Sequence, residues 1–169
     1  MIETYIRDIP NFPKEGIIFK DITPLLNNVA ARNEVLKNII KNIPDVKIDK
    51  VIGVESRGFF FGILLAQELN AGFVPVRKKG KLPFDTVSAS YELEYGTDIL
   101  EIHTDAIKKG ENILIHDDVL ATGGTIKAVT ELVEKLGGNI IQLNFLMELE
   151  FLKGREKIKN YNTYSILKY

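Results

Sequence analysis

No cysteine occurs anywhere in the 169 residues, so disulfides, thiol nucleophiles and cysteine-ligated metals are excluded. A chain without thiols folds in any redox compartment, and the cytoplasm is the simplest expectation. Histidine is almost as scarce. His103 and His116 are the only two, at a spacing that suits no metal motif, and both are expected to be structural. Neither sign of charge is in excess: 22 Lys and Arg against 23 Asp and Glu leave a net charge of −1. That balance argues against a broad nucleic-acid footprint and leaves room for a local basic patch serving a small anion. Long apolar runs are missing too. The longest, from Gly58 to Ala66, has about half the length a bilayer span needs. The first residues carry Glu3, Arg7 and Asp8, and no secretory hydrophobic stretch follows them, so neither a membrane nor a leader segment is expected. There is no internal repeat, low-complexity tract or linker, and one domain over 1–169 is expected.

What is present is the makeup of an ordinary globular domain. Hydrophobic residues make up 45% and charged residues 27%, and a chain of this length buries roughly 70% of its unfolded surface. The proline-bearing stretch 9–24 reads as an irregular hood, within about 1–28, around Ile17-Ile18-Phe19. Val35, Leu36, Ile39, Ile40 and Ile43 recur at helical spacing, with Asn27 or Asn28 placed to cap the start and Pro44 just past the end. From Lys50 onward, strands and helices alternate. Strands are expected at Val51–Val54, Phe73–Val76, Ile113–Ile115 and Ile140–Met147. Helices are expected from Gly58 to about Asn70, and from about Thr125 to a stop at Gly137-Gly138. Phe59, Phe60 and Phe61 are expected in the core of the first of these. This pattern predicts an α/β fold: a mostly parallel, twisted sheet with helices on both faces. An insertion over about 78–109 has strand-like halves at Ser88–Leu93 and Asp98–His103 and reads as a flexible hairpin flap.

Ligands of open parallel sheets sit beyond the carboxyl ends of the strands, and three such ends carry unusual residues. Asp117-Asp118 is followed by Ala121-Thr122-Gly123-Gly124-Thr125, a loop of small residues that opens a helix. Successive N–H groups and a helix N-terminus favour a phosphate there. The loop is neither a Walker A sequence nor a dinucleotide fingerprint. Taken alone, its glycines serve an ordinary strand–turn–helix connection equally well. The acids change the balance, because a carboxylate beside a phosphate needs hydroxyl donors or a cation, and a ribose phosphate supplies such hydroxyls. Arg77-Lys78-Lys79-Gly80-Lys81 puts four cations into five positions. Together with Arg57 in the third strand end, Glu55-Ser56-Arg57-Gly58, they suit a highly charged leaving group such as pyrophosphate.

The run IHDDVLATGGT (Ile115–Thr125) resembles the phosphoribosyl-pyrophosphate-binding motif of type I phosphoribosyltransferases. GVESRGFFFG (Gly53–Gly62), RKKGKLP (Arg77–Pro83), SYELEYG (Ser90–Gly96), LKGREK (Leu152–Lys157) and the hood sequence Ile9–Leu26 are similar to one branch of that family, the branch that acts on adenine. The resemblance covers nearly the whole chain. It implies the fold of that family and a purine-salvage transfer: adenine and phosphoribosyl pyrophosphate give AMP and pyrophosphate, with Mg²⁺, in a homodimer. Residues 121–125 would hold the 5′-phosphate, and Asp117 and Asp118 the ribose hydroxyls. Ser56, Arg57, Arg77, Lys78 and Lys81 would meet the pyrophosphate. A non-proline cis peptide would fall near Glu55-Ser56. Phe19 would stack on adenine opposite Val119 or Leu120, Ile18 would read the base edge through its backbone, and Lys20 would stand beside them. Glu94 would come from the flap to handle the purine's imidazole proton, and the metal would be held mainly by substrate near Asp117 or Asp118. Lys20 replaces an arginine common in the pattern, and His116 a usual apolar residue. Two rival readings are a regulator that senses the same sugar phosphate and binds nucleic acid, and a transferase for 6-oxopurines. The first would need an added nucleic-acid-binding segment, and none is read in the sequence.

Overall fold

A computed structural model describes residues 1–92 and 96–169; Glu94, the flap acid, lies outside them. The chain forms two compact units, Met1–Lys41 and Asn42–Tyr169.

In the N-terminal unit the hood is more regular than its prolines suggest. Strand β1 (Arg7–Pro10) pairs antiparallel with β2 (Ile18–Asp21), from Arg7 opposite Asp21 to Pro10 opposite Ile18. The prolines are compatible with this because Pro10 ends its strand and Pro13 lies in the connecting turn. That turn is closed by Asn11, in the left-handed region at φ 58, whose Oδ1 accepts a hydrogen bond from Gly16 N at 2.9 Å. Helices α1 (Thr23–Asn27) and α2 (Val29–Lys41) follow. Asn28 caps α2: its Oδ1 accepts from Ala31 N at 2.9 Å, satisfying one of the free N–H groups of the first turn. Val35, Leu36 and Ile39 are buried, and the helix closes at Lys41, before Ile43.

The second unit is built on a seven-stranded sheet. Its strands are β3 (Lys50–Val54), β4 (Gly72–Lys78), β5 (Thr86–Glu92), β6 (Thr97–His103), β7 (Asn112–Leu120), β8 (Asn139–Glu148) and β9 (Thr163–Lys168), in the order β5-β6-β4-β3-β7-β8-β9. β4, β3, β7, β8 and β9 run parallel; β5 and β6 form the antiparallel hairpin expected for the flap, and β6 joins β4 antiparallel. Helix α3 (Gly58–Glu68) connects β3 to β4 on one side, and α4 (Gly124–Leu136) connects β7 to β8 on the other. Right-handed crossovers in opposite directions place the two helices on opposite faces. Accordingly Ile113 and Ile115 pack with Ile126, Val129 and Leu132 of α4, while the His116 ring meets Phe61 of α3 edge-on at 6.2 Å.

Three expectations change. β9, unread in the sequence, adds a parallel strand at the sheet edge. β7 does not stop at Ile115 but runs through both acids to Leu120, because β8 continues to pair with it, Asp117 opposite Phe145 and Val119 opposite Met147. The Phe59–Phe61 run is only partly core. Phe61 is fully buried and Phe59 packs edge-on against Phe73 at 5.9 Å, but Phe60 is 46% exposed and Ile63 50%. Phe60 and Ile63 are three positions apart, and so share one outward helix face.

Candidate active site

β3 and β7 are neighbours whose crossovers leave in opposite directions, so the strand order reverses between them. This is where ligands of open α/β sheets collect. At the end of β3 the Glu55–Ser56 peptide is cis, as the resemblance implied. The next strand, β4, runs in parallel register, with Val54 opposite Val76, which brings the basic run beside Glu55. Lys78 N donates to Glu55 Oε2 at 2.8 Å, Arg77 Nη2 lies 3.4 Å from Oε1, and Lys81 Nζ pairs with that same oxygen. Burial pushes the Glu55 carboxyl up, but Lys81, the Lys78 N–H and Arg77 outweigh it and hold its pKa below the usual value. Two of the cations, Arg77 and Lys81, therefore converge on one acid to which the sequence reading gave no role. Lys78 Nζ turns elsewhere, to Asp98 Oδ2 at 3.0 Å, where Tyr91 OH also donates at 3.2 Å. Gly80, at φ +81 in the turn after β4, is fixed by its N–H donating to the buried Glu101 carboxylate at 2.9 Å.

β7 supplies the two acids. Asp118 is buried, and Arg57 Nε from the β3 side lies 2.9 Å from its Oδ2. Asp118 N donates to Asp117 Oδ1 at 2.9 Å. Burial raises the Asp117 pKa well above its usual value, with the Asp118 charge adding to it. Burial also raises Asp118, against the pull of Arg57. The start of α3 lies close against β7 because it begins with Gly58. A Cβ there would fall 2.9 Å from the His116 carbonyl oxygen and 3.0 Å from Asp117 Oδ1. Beneath the acids, His116 is fully buried with Nδ1 2.6 Å from Asn144 Oδ1. Burial lowers its pKa to about 4, so the ring is neutral near pH 7.

Beyond β7 the backbone turns at Gly123, φ +78, and α4 starts at Gly124. No side chain caps that helix, which leaves its first N–H groups available to an anion. A pocket opens here, lined by Asp117, Val119, Leu120, Ala121, Thr122, Gly123, Thr125 and Ile126. Asp117 of the acid pair, the predicted phosphate loop apart from Gly124, and both candidate base-contacting residues of this strand therefore border one space. The remaining candidates belong to the N-terminal unit. There Ile18 is 56% exposed, Phe19 packs edge-on against Phe12 at 5.2 Å, and Lys20 Nζ pairs with Asp8 Oδ1 at 2.7 Å. Among the described residues no group of three or more His, Cys, Asp or Glu side chains could hold a metal ion.

A parallel sheet with a switch point, an uncapped glycine loop at a helix start and a buried acid pair define a phosphosugar-type site. The family model described as phosphoribosyl transferase domain matches residues 20–167, and the chain belongs to that family. It is 72% identical over 168 residues to the adenine phosphoribosyltransferase of Flavobacterium johnsoniae, covering 99% of each chain. It is 57% identical over 164 residues to that of Methanococcus vannielii, covering 97% of this chain and 95% of the other. Among solved structures, the adenine phosphoribosyltransferase of Thermoanaerobacter pseudethanolicus superposes with a TM-score of 0.96 at 52% identity, covering 99% and 98% of the two chains. The Saccharomyces cerevisiae protein, solved with adenine and an imino-altritol bisphosphate, gives 0.92 at 46% identity over 97% and 95%. These relatives put the chain in the adenine branch.

Proposed function

We propose that this protein transfers the 5-phosphoribosyl group of phosphoribosyl pyrophosphate to adenine, giving AMP and pyrophosphate in purine salvage. The observation that carries the reading is the meeting, at one switch point, of the Arg57–Asp118 pair with the uncapped loop of residues 121–125. In this reading the loop from Ala121 through Thr122, Gly123 and Gly124 to Thr125 receives the 5′-phosphate on backbone N–H groups, as helix N-termini do. Asp117 and Asp118 orient the ribose hydroxyls and offset the positive charge that develops at C1 as the leaving group departs. Ser56, Arg57, Arg77, Lys78 and Lys81 receive the pyrophosphate, with Arg77 and Lys81 held ready by Glu55. Ile18, Phe19 and Lys20 of the hood are assigned to adenine, as is Val119 or Leu120. Glu94 is assigned to the purine's imidazole proton as a general acid–base group. The flap, about 78–109, shields the activated ribose from water.

The donor set fits a Mg²⁺ that keeps water and substrate oxygens as most of its ligands, since the two acids are the carboxylates at hand and Asp118 already pairs with Arg57. When bound, such an ion neutralises the departing pyrophosphate. We further assign the protein to the cytoplasm, as one domain with a hood over about 1–28, working as a homodimer. The cytoplasmic assignment is the simplest one for a chain without thiols, which is compatible with any redox compartment. The dimer follows the branch the chain resembles.

The test is AMP formation from adenine, phosphoribosyl pyrophosphate and Mg²⁺, run beside hypoxanthine. Ile17, Ile18 and Phe19 offer no polar side chain, so base-edge readout falls to backbone N–H and C=O groups. Adenine presents a 6-amino donor beside an N1 acceptor, and hypoxanthine reverses both. Two mismatched buried groups at about 1–3 kcal/mol each predict a preference in kcat/KM of roughly 10²–10⁴ for adenine. Values for the two bases within about tenfold of each other would sink the assignment.

A further inference from the structure

We infer that Gly154 and Arg155 form a positioning clasp that holds the phosphate loop in its binding shape; the inference rests on the assignment of the 5′-phosphate to that loop. The contact is backbone against backbone. A Cβ on Gly154 would overlap the Ala121 carbonyl oxygen and lie 2.9 Å from Gly123 N. A Cβ on Gly123 would overlap the Gly154 carbonyl oxygen and lie 3.1 Å from Gly154 Cα. Real Cβ atoms do not occupy such positions, so neither residue tolerates a side chain while the two segments stay where they are. The chain enters the contact through Lys153, a non-glycine residue in the left-handed region at φ 54. Such a residue is uncommon outside glycine and persists where its surroundings over-determine it.

The next residue anchors the contact from behind. Arg155 Nε donates to Glu148 Oε1 at 2.9 Å, Nη2 pairs with Glu148 Oε2, and Nη1 donates to the Thr163 carbonyl at 3.1 Å. Ser165 Oγ donates to Glu148 Oε2 at 2.9 Å. The Glu148 side chain is 5% exposed, and the Arg155 hydrogen bond is the foremost cause holding its pKa below the usual value. Glu148 ends β8 opposite Leu120, which ends β7, and Leu149 N donates to the Leu120 carbonyl at 2.9 Å. The guanidinium fork is therefore fixed to the end of β8, which lies beside the end of β7 from which the loop departs. It sets Gly154 against the loop of small residues, whose helix start has no side-chain cap. A planar fork makes these contacts together; a lysine ammonium offers a single point.

Arg155→Lys and Gly154→Ala should weaken ribose 5-phosphate, measured by calorimetric titration, by about tenfold to a hundredfold, the scale of a misplaced binding group. The KM for adenine should stay within about threefold, because the clasp touches only the phosphate loop. Thermal melting identifies the folded variants, and Arg155→Lys, which keeps the charge, carries the test if Gly154→Ala does not fold. Unchanged ribose 5-phosphate affinity in folded Arg155→Lys overturns the clasp. So does an equal loss for adenine, which would mark a general loosening. Thr125→Asp, which puts a like charge into the loop's pocket, separates failure of the clasp from failure of the loop assignment. If wild type does not bind ribose 5-phosphate, or Thr125→Asp leaves that binding intact, the assignment of the loop itself fails and the clasp falls with it.

Discussion

Replacing Arg57 by alanine removes the partner of an acid that has almost no water around it. Arg57 Nε sits 2.9 Å from Asp118 Oδ2, with the arginine side chain 35% exposed and the aspartate 5%. Breaking a fully buried pair from one side costs about 3–5 kcal/mol, because the remaining charge is stranded in low dielectric. Water reaches the exposed third of Arg57, so the expected loss here is smaller, about 2 kcal/mol near pH 8. Asp118 also fixes the direction with pH. Burial already raises its pKa while Arg57 opposes the rise; without the arginine it climbs further, and the carboxyl relieves its desolvation by taking a proton. A carboxyl whose folded pKa lies above its unfolded value binds protons more readily when folded, so the variant regains stability as pH falls. The Arg57→Ala cost should therefore be larger at about pH 8 than at about pH 5. Urea unfolding of wild type, Arg57→Ala, Asp118→Asn and the double variant closes the cycle. Asp118→Asn strands no charge, so Arg57→Ala should cost less than half as much in that background. Equal costs in both backgrounds, or a cost that fails to shrink toward pH 5, would refute the pairing. The same geometry bears on ligands. Because Asp118 is assigned to ribose hydroxyls that AMP also carries, Arg57→Ala should weaken both ligands, with phosphoribosyl pyrophosphate losing about tenfold to a hundredfold and AMP less.

Two further outcomes follow from the core beneath the acids. His116 has its pKa lowered to about 4 from an ordinary 6.5, so the unfolded chain takes up the proton first and stability is lost as pH falls through that window. Relative to His116→Gln, wild type should lose about 2 kcal/mol between pH 7.5 and pH 5 in urea unfolding, and parallel pH profiles would contradict a neutral buried ring. Gly58→Ala places a methyl 2.9 Å from the His116 carbonyl oxygen and 3.0 Å from Asp117 Oδ1. It should destabilise by about 1–3 kcal/mol and raise the KM for phosphoribosyl pyrophosphate, because the collision is with backbone and with an acid of the site. A variant matching wild type in both melting temperature and KM would show that the start of α3 is free to move off β7.

The parts of this site that were legible in the sequence are local, and the parts that were not are long-range. Asp117, Asp118 and the loop after them lie within nine consecutive residues, so a strand end, a turn and a helix start could be read together. Ile126, Val129, Leu132 and Val133 gave away α4 by spacing alone, and all four are buried. The hood misled because proline was read as irregularity, whereas Pro10 and Pro13 occupy an end and a turn that a hairpin accepts. β9 escaped because its residues 163–168 follow a helical-looking charged stretch and only one of them, Ser165, is buried. Glu55 stood out at its strand end but had no role there, for a different reason. Its partners come from 22 to 26 positions away, and only the parallel register of β3 with β4 puts Arg77 and Lys81 within its reach. The run of cations read as a partner for an anionic leaving group, while the acid that holds Arg77 and Lys81 belongs to another strand.

Gly154 answers a requirement that is wholly long-range. Nothing in its neighbourhood, Lys153 before it and Arg155 after it, predicts that it must touch Ala121 and Gly123. The requirement arises only when β8 returns beside β7 and the segment after it folds over the loop. Glycines at 123 and 154 then answer one another: each lacks a side chain because the other's backbone is there. A loop of small residues has little side-chain packing with which to hold a shape, and a shape is what a ring of convergent N–H groups needs in order to bind an anion. The fold supplies the missing rigidity from outside the loop, through an arginine fork locked onto a buried glutamate at the end of the neighbouring strand β8. Binding chemistry thus sits in a motif that can be read locally, while its preorganisation depends on contacts that exist only once the sheet has formed.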